Sequence, residues 1–354
     1  PQAAGDYDDR TTVAVKSVLI EIGQILGSFE GRFAIIGGAV PWLLLGEAEM
    51  PHIGTADVDL GLDPAALGDG EYARLVEALK KHDYLQRDDL RRFQLVRTVP
   101  ASDDGPDIDV VVDFLMPRDA EITKNAPPLV SQFAVQRADG ADLALRFYQM
   151  VAIEGHMPDG DRNRVSIAVA SIPALLAMKG YAVANRLKRK DAYDIYYSVR
   201  KFPDGIDALV DATLPLLDVE SALQGYRYVS DKFRNAEDFG PASVRKFVEG
   251  SRLLGDRSAD QWQQDAFGQV DAWLSGIGLR QPRPRSRMPW VSRKEWPGVE
   301  TGVMNPEVRG LLEAGNWMTG RPGPLPSRSE AAIFQKTRAG HDRRSSRSDR
   351  SGNL

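Results

Sequence analysis

Apolar and polar positions follow two periods along this chain. Between residues 12 and 27 apolar side chains recur at helical spacing, which predicts an amphipathic helix stopped at Gly27. The apolar run Phe33–Ile36 predicts a short buried strand, and residues 39–45 suit a short helix with Pro41 tolerated in its first turn. A second strand is expected at Asp57–Leu62 and a helix over 71–81. Residues 93–99 and 108–115 are rich in β-formers and are joined by PASDDGPD, a turn-rich hairpin loop. Alternation over 165–171 predicts a further strand.

After Ser171 the pattern turns helical. Residues 172–200 read as one long helix, with Pro173 allowed only near its start, and helical stretches continue to about residue 279. The clearest are 243–254 and Ala259–Gly276. From about residue 280 Pro, Arg, Ser and Gly dominate, and the end, AGHDRRSSRSDRSGNL, has the composition of a disordered tail. No internal repeat is present. The expected organisation is an α/β core of mixed sheet over 1–170, a helical domain over 171–279 and a basic tail over 280–354.

Composition fits such a chain. Its 354 residues suffice for two domains, with 42% hydrophobic and 27% charged side chains. No run of about 18 apolar residues suggests a membrane span. The first ten residues, PQAAGDYDDR, lack the basic-then-apolar order of a signal peptide. Cysteine is absent, which excludes disulfides, thiolate zinc sites and a cysteine nucleophile, and suits a reducing cytoplasm. The net charge of −5 conceals an asymmetry: residues 281–354 hold 14 Lys and Arg against 7 Asp and Glu, so +7, leaving −12 on the rest. A basic tail on an acidic body can touch nucleic acid or can simply be solvated.

The chemistry concentrates in IIGGAVPWLLLGEAEMPHIGTADVDLGLD, residues 35–63. In a strand, Asp57 and Asp59 project to one face while Ala56, Val58 and Leu60 take the other. Two parallel carboxylates repel unless a cation joins them. Mg²⁺, a hard ion with oxygen ligands often shared with substrate phosphates, is the natural partner; Arg or Lys at a strand end is the plainer one. Gly37-Gly38, with 18 residues between it and Asp57, follows a strand and precedes a helix, a place where phosphate can approach the backbone. It is neither a P-loop nor a GxGxxG motif. Two metal ions would need a third carboxylate. DIDVVVDFLMP offers Asp113, set within an apolar run, and Asp109 on the same face as the second choice.

Together these residues resemble the polymerase-beta-like nucleotidyltransferase superfamily, whose signature is Gly-Gly or Gly-Ser, a spacer and Asp-h-Asp, where h is apolar. The segment KGYAVANRLKRKDAYDIYY, about 120 residues downstream, narrows the likeness. Its Lys179, Ala182 and Arg186, followed by Lys190-Asp191 and Asp194, are similar to the K-x-x-A-x-x-x-R and KD-x-x-D patterns of AbiEii-type nucleotidyltransferases, the toxin half of some bacterial toxin–antitoxin pairs. The likeness covers roughly residues 34–200. Independently of it, Lys179, Ala182, Arg186 and Lys190 follow steps of 3, 4 and 4 and so are expected to form one stripe. A cationic stripe facing an acidic metal site would bind a triphosphate. Asp191 and Asp194 would either anchor those cations or contact the nucleotide.

The resemblance implies a cytoplasmic transferase that moves NMP from an NTP to RNA, tRNA or a protein, with an antitoxin as a further partner. Asp57, Asp59 and Asp113 would hold Mg²⁺ at a two-metal site, and Gly37, Gly38, Lys179, Arg186, Lys190, Asp191 and Asp194 would bind the nucleotide. Transfer to a small molecule of antibiotic type, or an inert NTP-binding module, are the alternatives. Competing chemistries have little support: His52, His82, His156 and His341 are scattered without H-x-x-x-H, and no G-x-S-x-G elbow occurs. His52 reads as a structural loop histidine, although in the resembled family this loop approaches the active site.

Overall fold

Strands are interspersed with helices up to residue 170, and helices alone follow. The computed structural model describes residues 3–46, 50–64, 71–101, 103, 105–118 and 135–280. The tail and His341 lie outside them. In chain order the elements are α1 (Asp9–Ile25), β1 (Phe33–Ile36), α2 (Ala39–Leu44), β2 (Asp57–Leu62), α3 (Glu71–Lys80), β3 (Gln94–Val99), β4 (Ile108–Pro117), β5 (Gln136–Ala138), α4 (Ala141–Arg146), β6 (Tyr148–His156), β7 (Arg162–Ala170), α5 (Ile172–Asn185), α6 (Arg189–Arg200), α7 (Gly205–Thr213), α8 (Glu220–Lys232), α9 (Phe239–Val248) and α10 (Ala259–Gly276). This is the mixed α/β architecture, with a helical C-terminal region, that the sequence predicts. All described residues fall in one compact unit.

The sheet runs in the order β3-β4-β2-β1-β7-β6, and β5 pairs with the end of β4. It is mixed: β2 runs parallel to β4 and β1 to β7, whereas β1–β2, β3–β4 and β6–β7 are antiparallel. In β4 Val110, Val112, Phe114 and Met116 are buried, alternating with Asp109, Asp113 and Leu115. In β2 Val58, Leu60 and Leu62 are buried on the same face as Val112 and Phe114, because Val58 pairs with Val112 and Leu60 with Phe114. The strand period of two therefore sends Asp57, Asp59 and Asp113 together to the other face. Helix α1, capped by Asp8 accepting from the Thr11 amide, buries Val15, Val18, Leu19 and Ile22.

The segment 172–200 corrects the sequence expectation. It is two helices, with Arg186 extended (φ −141°, ψ 151°) at the end of α5 and Lys188 extended before α6. No Pro or Gly breaks it; an ion pair explains the break. Lys179 and Asp191 would stand about 18 Å apart along a continuous helix at 1.5 Å per residue, yet their charged atoms are 2.7 Å apart. Folding α6 back against α5 forms that pair. Likewise, the helix expected over 243–254 ends at Val248 and resumes only as a single 3₁₀ turn at Arg252–Leu254.

Helix α5 is held against α8 by two glycines. A Cβ on Gly180 would lie 1.9 Å from the Gly225 carbonyl oxygen, and one on Gly225 2.3 Å from that of Ala177. Only hydrogen at both positions allows this backbone approach. Because Lys179 is the neighbour of Gly180, the contact also sets where Lys179 points. Gly180→Ala is expected to cost about 1–3 kcal/mol through forced separation of the helices, lowering the melting temperature by about 2–4 °C per kcal/mol. An unchanged melting curve would disprove the close crossing.

Candidate active site

A cavity of about 340 Å³ opens beside the carboxylate face of the sheet, within the size range of small-molecule sites. One wall is Asp57 and Asp59 from β2, Asp113 from β4, and the Gly37-Gly38 turn after β1. The register places Asp59 directly beside Asp113 and next to Ile36 of β1. The facing wall is Lys179, Ala182 and Arg186 from the end of α5, with Lys190 and Asp191 from α6. The two motifs, far apart in sequence, thus share one cavity.

The three carboxylates differ in support. Asp57 accepts a hydrogen bond from the Thr55 hydroxyl at 2.8 Å, and Asp113 accepts one from the Gln94 amide at 2.8 Å. Among the described residues no group donates to Asp59. Burial, together with the neighbouring Asp57 and Asp113 charges, holds the Asp59 carboxyl well above the usual carboxylate range, and Lys179 and Arg186 offset this only in part. Burial also pushes Asp113 up to about 6 against the pull of Gln94. Asp109 shares the face of Asp113 but is exposed and committed elsewhere, to Arg87 at 2.6 Å and Thr98 at 2.6 Å. It does not line the cavity.

Gly37 has φ +72°, a left-handed conformation, and a Cβ there would fall 1.8 Å from Asp59 Oδ2. The first glycine therefore makes room for the Asp59 carboxylate itself. A Cβ on Gly38 would meet Thr55 Oγ1 at 2.8 Å and Lys190 Nζ at 3.0 Å. The sequence reading gave both glycines to phosphate at a helix N-terminus. In the structure their side-chain space is taken by protein groups, and α2, with six residues, is too short for a strong dipole.

Behind the cationic wall lies a buried ion cluster. Lys179 bridges Asp191 and Asp194, at 2.7 Å to each. Arg186 grips both oxygens of Asp191, at 2.7 and 3.0 Å. Lys190 sits 2.9 Å from Asp194, which also accepts from His52 at 3.0 Å. Burial would strip the proton from Lys179, but Asp191 and Asp194 overcome it and hold its pKa above the ordinary lysine value. Burial and the nearby Lys179 charge leave Lys190 below it. Asp191 and Asp194 stay ionised despite burial because these cations surround them. Asp194 was grouped with the nucleotide-binding residues from the sequence; its side chain is fully buried, stands outside the cavity lining, and serves as an anchor. Arg186 keeps 58% of its side chain exposed and lines the cavity, so it is the cation of the cluster best able to reach a ligand.

Several lining residues carry no motif. Tyr7, whose ring lies 5.4 Å from Lys190 Nζ, and Arg91, Lys188, Arg118 and Arg137 reach the cavity from five separate segments. Nothing local marks them; only the fold assembles them. Arg118 is paired with Asp139 and Arg137 with the Pro117 carbonyl.

The donor set can be weighed for a metal ion. Among the described residues no three Asp, Glu, His or Cys side chains converge as a ready-made metal cage. Magnesium does not need one: it is commonly held by one or two carboxylates plus substrate phosphates and water. The Asp57–Asp59 pair, with Asp59 lacking a donor and crowded by like charge, fits that mode. No helix among the described residues is long and apolar enough to cross a membrane.

No protein-family model and no curated protein match this sequence. Among solved structures the chain is similar to JHP933 from Helicobacter pylori, at 9% identity and a TM-score of 0.42, over 77% of this chain and 95% of that one. It is also similar to a candidate nucleotidyltransferase from H. pylori, at 10% identity and a TM-score of 0.39, over 76% of this chain and 98% of that one. At such identities and scores neither likeness speaks to activity, which has to come from the site.

The raised carboxyl groups have a consequence for stability. Asp113 titrates near 6 when folded against 3.8 for an ordinary aspartate. The stability this lends is fully present below about pH 4 and is lost as pH rises through about 6. Asp113→Asn should therefore leave the melting temperature unchanged at pH 4 and raise it at pH 7.5 without divalent cations, by the equivalent of about 1–3 kcal/mol. Thermal melts at both values check this; a lower melting temperature at pH 7.5 would show that the carboxylates do not repel.

Proposed function

We propose that this protein is a magnesium-dependent nucleotidyltransferase that moves NMP from an NTP to an acceptor. The observation that carries the reading is the shared cavity: three carboxylates from adjacent strands β2 and β4 face a wall of Lys and Arg from α5 and α6. A divalent-metal triphosphate has the matching charge pattern, metal toward the carboxylates and phosphates toward the cations.

Asp57 and Asp59 would hold the metal, with Asp113 completing the site. Bound there, magnesium supplies charge neutralisation and polarises the phosphate under attack. Arg186 binds the triphosphate directly, and Lys179 and Lys190 contribute positive potential from behind the wall. The acceptor hydroxyl attacks the α-phosphorus, the bond to the β-phosphate oxygen breaks, and pyrophosphate leaves. Asp113, on the same face as Asp57 and Asp59, would also help to activate the acceptor hydroxyl. The K-x-x-A-x-x-x-R and KD-x-x-D pattern supports an AbiEii-type enzyme, and with it a toxin role opposed by an antitoxin. RNA or tRNA is the favoured acceptor class over protein, since the basic residues 281–354 offer phosphate contacts.

Asp57→Asn and Asp59→Asn are expected to keep the fold and abolish magnesium-dependent pyrophosphate release from the four NTPs in the presence of total RNA, protein and small metabolites as acceptors. Wild-type rates in either variant would refute the assignment. Arg186→Ala removes a contact of about 1.5–3 kcal/mol, so NTP affinity should fall about ten- to a hundredfold, as measured by titration calorimetry. Lys179→Ala is the poorer test, because Lys179 also bridges the buried Asp191 and Asp194, so a loss of stability would accompany any loss of binding even though Arg186 still holds Asp191 and Lys190 and His52 still hold Asp194.

A further inference from the structure

One buried titratable side chain beside the cavity has no part in the proposed chemistry. His52 lies in the loop before β2, fully buried, with its ring 5.5 Å from that of Tyr193 and 4.9 Å from that of Tyr197 on α6. Both ring nitrogens are engaged. The Gly54 amide donates to Nδ1 at 3.2 Å, so the ring proton sits on Nε2, which donates to Asp194 at 3.0 Å. Burial pushes the imidazole down to about 4, so this tautomer is neutral near pH 7. Packing between two tyrosines does not call for imidazole; a phenyl ring would fill the same space. The ring's two polar atoms are what distinguish it: one bonds Gly54, beside the lining residue Thr55, and the other bonds Asp194, which holds the lining residues Lys179 and Lys190.

We propose that His52 is a positioning residue: it straps the loop that delivers Asp57 to the helix that holds the cavity's cations, and so sets the spacing between the two walls. This rests on the nucleotidyltransferase reading for its functional consequence, though not for its geometry. In one direction the strap runs from Nδ1 to Gly54 and on through Thr55, whose hydroxyl holds Asp57 at 2.8 Å. In the other it runs from Nε2 to Asp194, which fixes Lys179 at 2.7 Å and Lys190 at 2.9 Å. Lys190 in turn abuts the Gly37-Gly38 turn, 3.0 Å from where a Gly38 Cβ would stand. The path therefore closes on itself around the carboxylates. A misplacement of about 1 Å between reacting groups can cost on the order of a hundredfold in rate, so a strap of this kind acts on turnover more than on binding.

The test uses His52→Phe and His52→Gln in the full chain, with pyrophosphate release from each NTP in the presence of total RNA, protein and small metabolites as acceptors, melting curves, and nitrogen NMR of the histidine and lysine side chains. In the unliganded wild type at pH 7 the Nε2 proton should be present and protected from exchange. His52→Phe should lower kcat about ten- to a hundredfold with KM for NTP nearly unchanged. His52→Gln, whose amide can still donate to Asp194, should recover part of the loss. Should His52→Phe fail to fold, the kcat-specific partial loss in His52→Gln carries the same reading. Wild-type kcat in His52→Phe overturns the strap, as does a proton on Nδ1 in the wild type, or a loss in both variants that only follows their melting temperatures. If the wild type releases no pyrophosphate from any NTP, the nucleotidyltransferase reading fails on its own. The strap then stands if the Lys179 and Lys190 ammonium signals lose protection in His52→Phe, and falls if they do not move.

Discussion

Mutual repulsion among Asp57, Asp59 and Asp113 is the constraint around which the site is organised. The parallel register of β2 and β4 sets Asp59 beside Asp113, and the strand period adds Asp57 to the same face. Burial raises the cost, because charge in a poorly solvated place is stabilised only by partners. Two of the three have a neutral donor, Thr55 or Gln94. Asp59 has room, provided by Gly37, but no donor among the described residues. All three crowd one face of the sheet, and that crowding is what the proposed cationic ligand would relieve.

The facing wall meets a related problem with the opposite sign. Three cations, Lys179, Arg186 and Lys190, surround two buried carboxylates, Asp191 and Asp194. Each buried charge is compensated at hydrogen-bonding distance, and one positive charge is left over. That surplus faces three carboxylates across the cavity. Buried pairs of this kind contribute little net stability over apolar packing, so their use lies in holding orientation. Tight backbone contact at Gly180 and Gly225 fixes the helix that carries Lys179. The cation wall is thus rigid at its base, with the exposed part of Arg186 at its surface.

Much of this was legible in the linear pattern. Strands β1 and β2 have the bounds that apolar runs predict, and the parity of Asp57, Asp59 and Asp113 follows from a period of two. Other parts were not. Strand β6 is largely exposed, so its apolar pattern is weak, and it forms only because β7 offers it a ladder of hydrogen bonds. Arg91, Arg118 and Arg137 come from separate segments that no motif joins, and Lys188 from the break between α5 and α6 that the pattern did not show. The basic stripe at steps of 3, 4 and 4 was real in composition and wrong in geometry, since Arg186 is extended and Lys190 stands on the next helix.

Short-range physics was therefore decided by the sequence itself: which segments alternate, which face of β2 carries carboxylates, and where glycine permits a left-handed turn. Those properties depend on neighbours a few residues apart. The tertiary structure decided what lies across the cavity from what. It broke the helix at 186–188 so that Asp191 could hold Lys179, moved Asp194 out of the cavity to anchor Lys179 and Lys190, and turned His52 from a loop residue into a bridge between β2 and α6. The helix break and the His52 bridge depend on a buried charge finding a partner 12 and 142 residues away in the chain. No local propensity encodes such a choice, because the low-polarity interior that makes an unpaired charge costly exists only once the chain has folded.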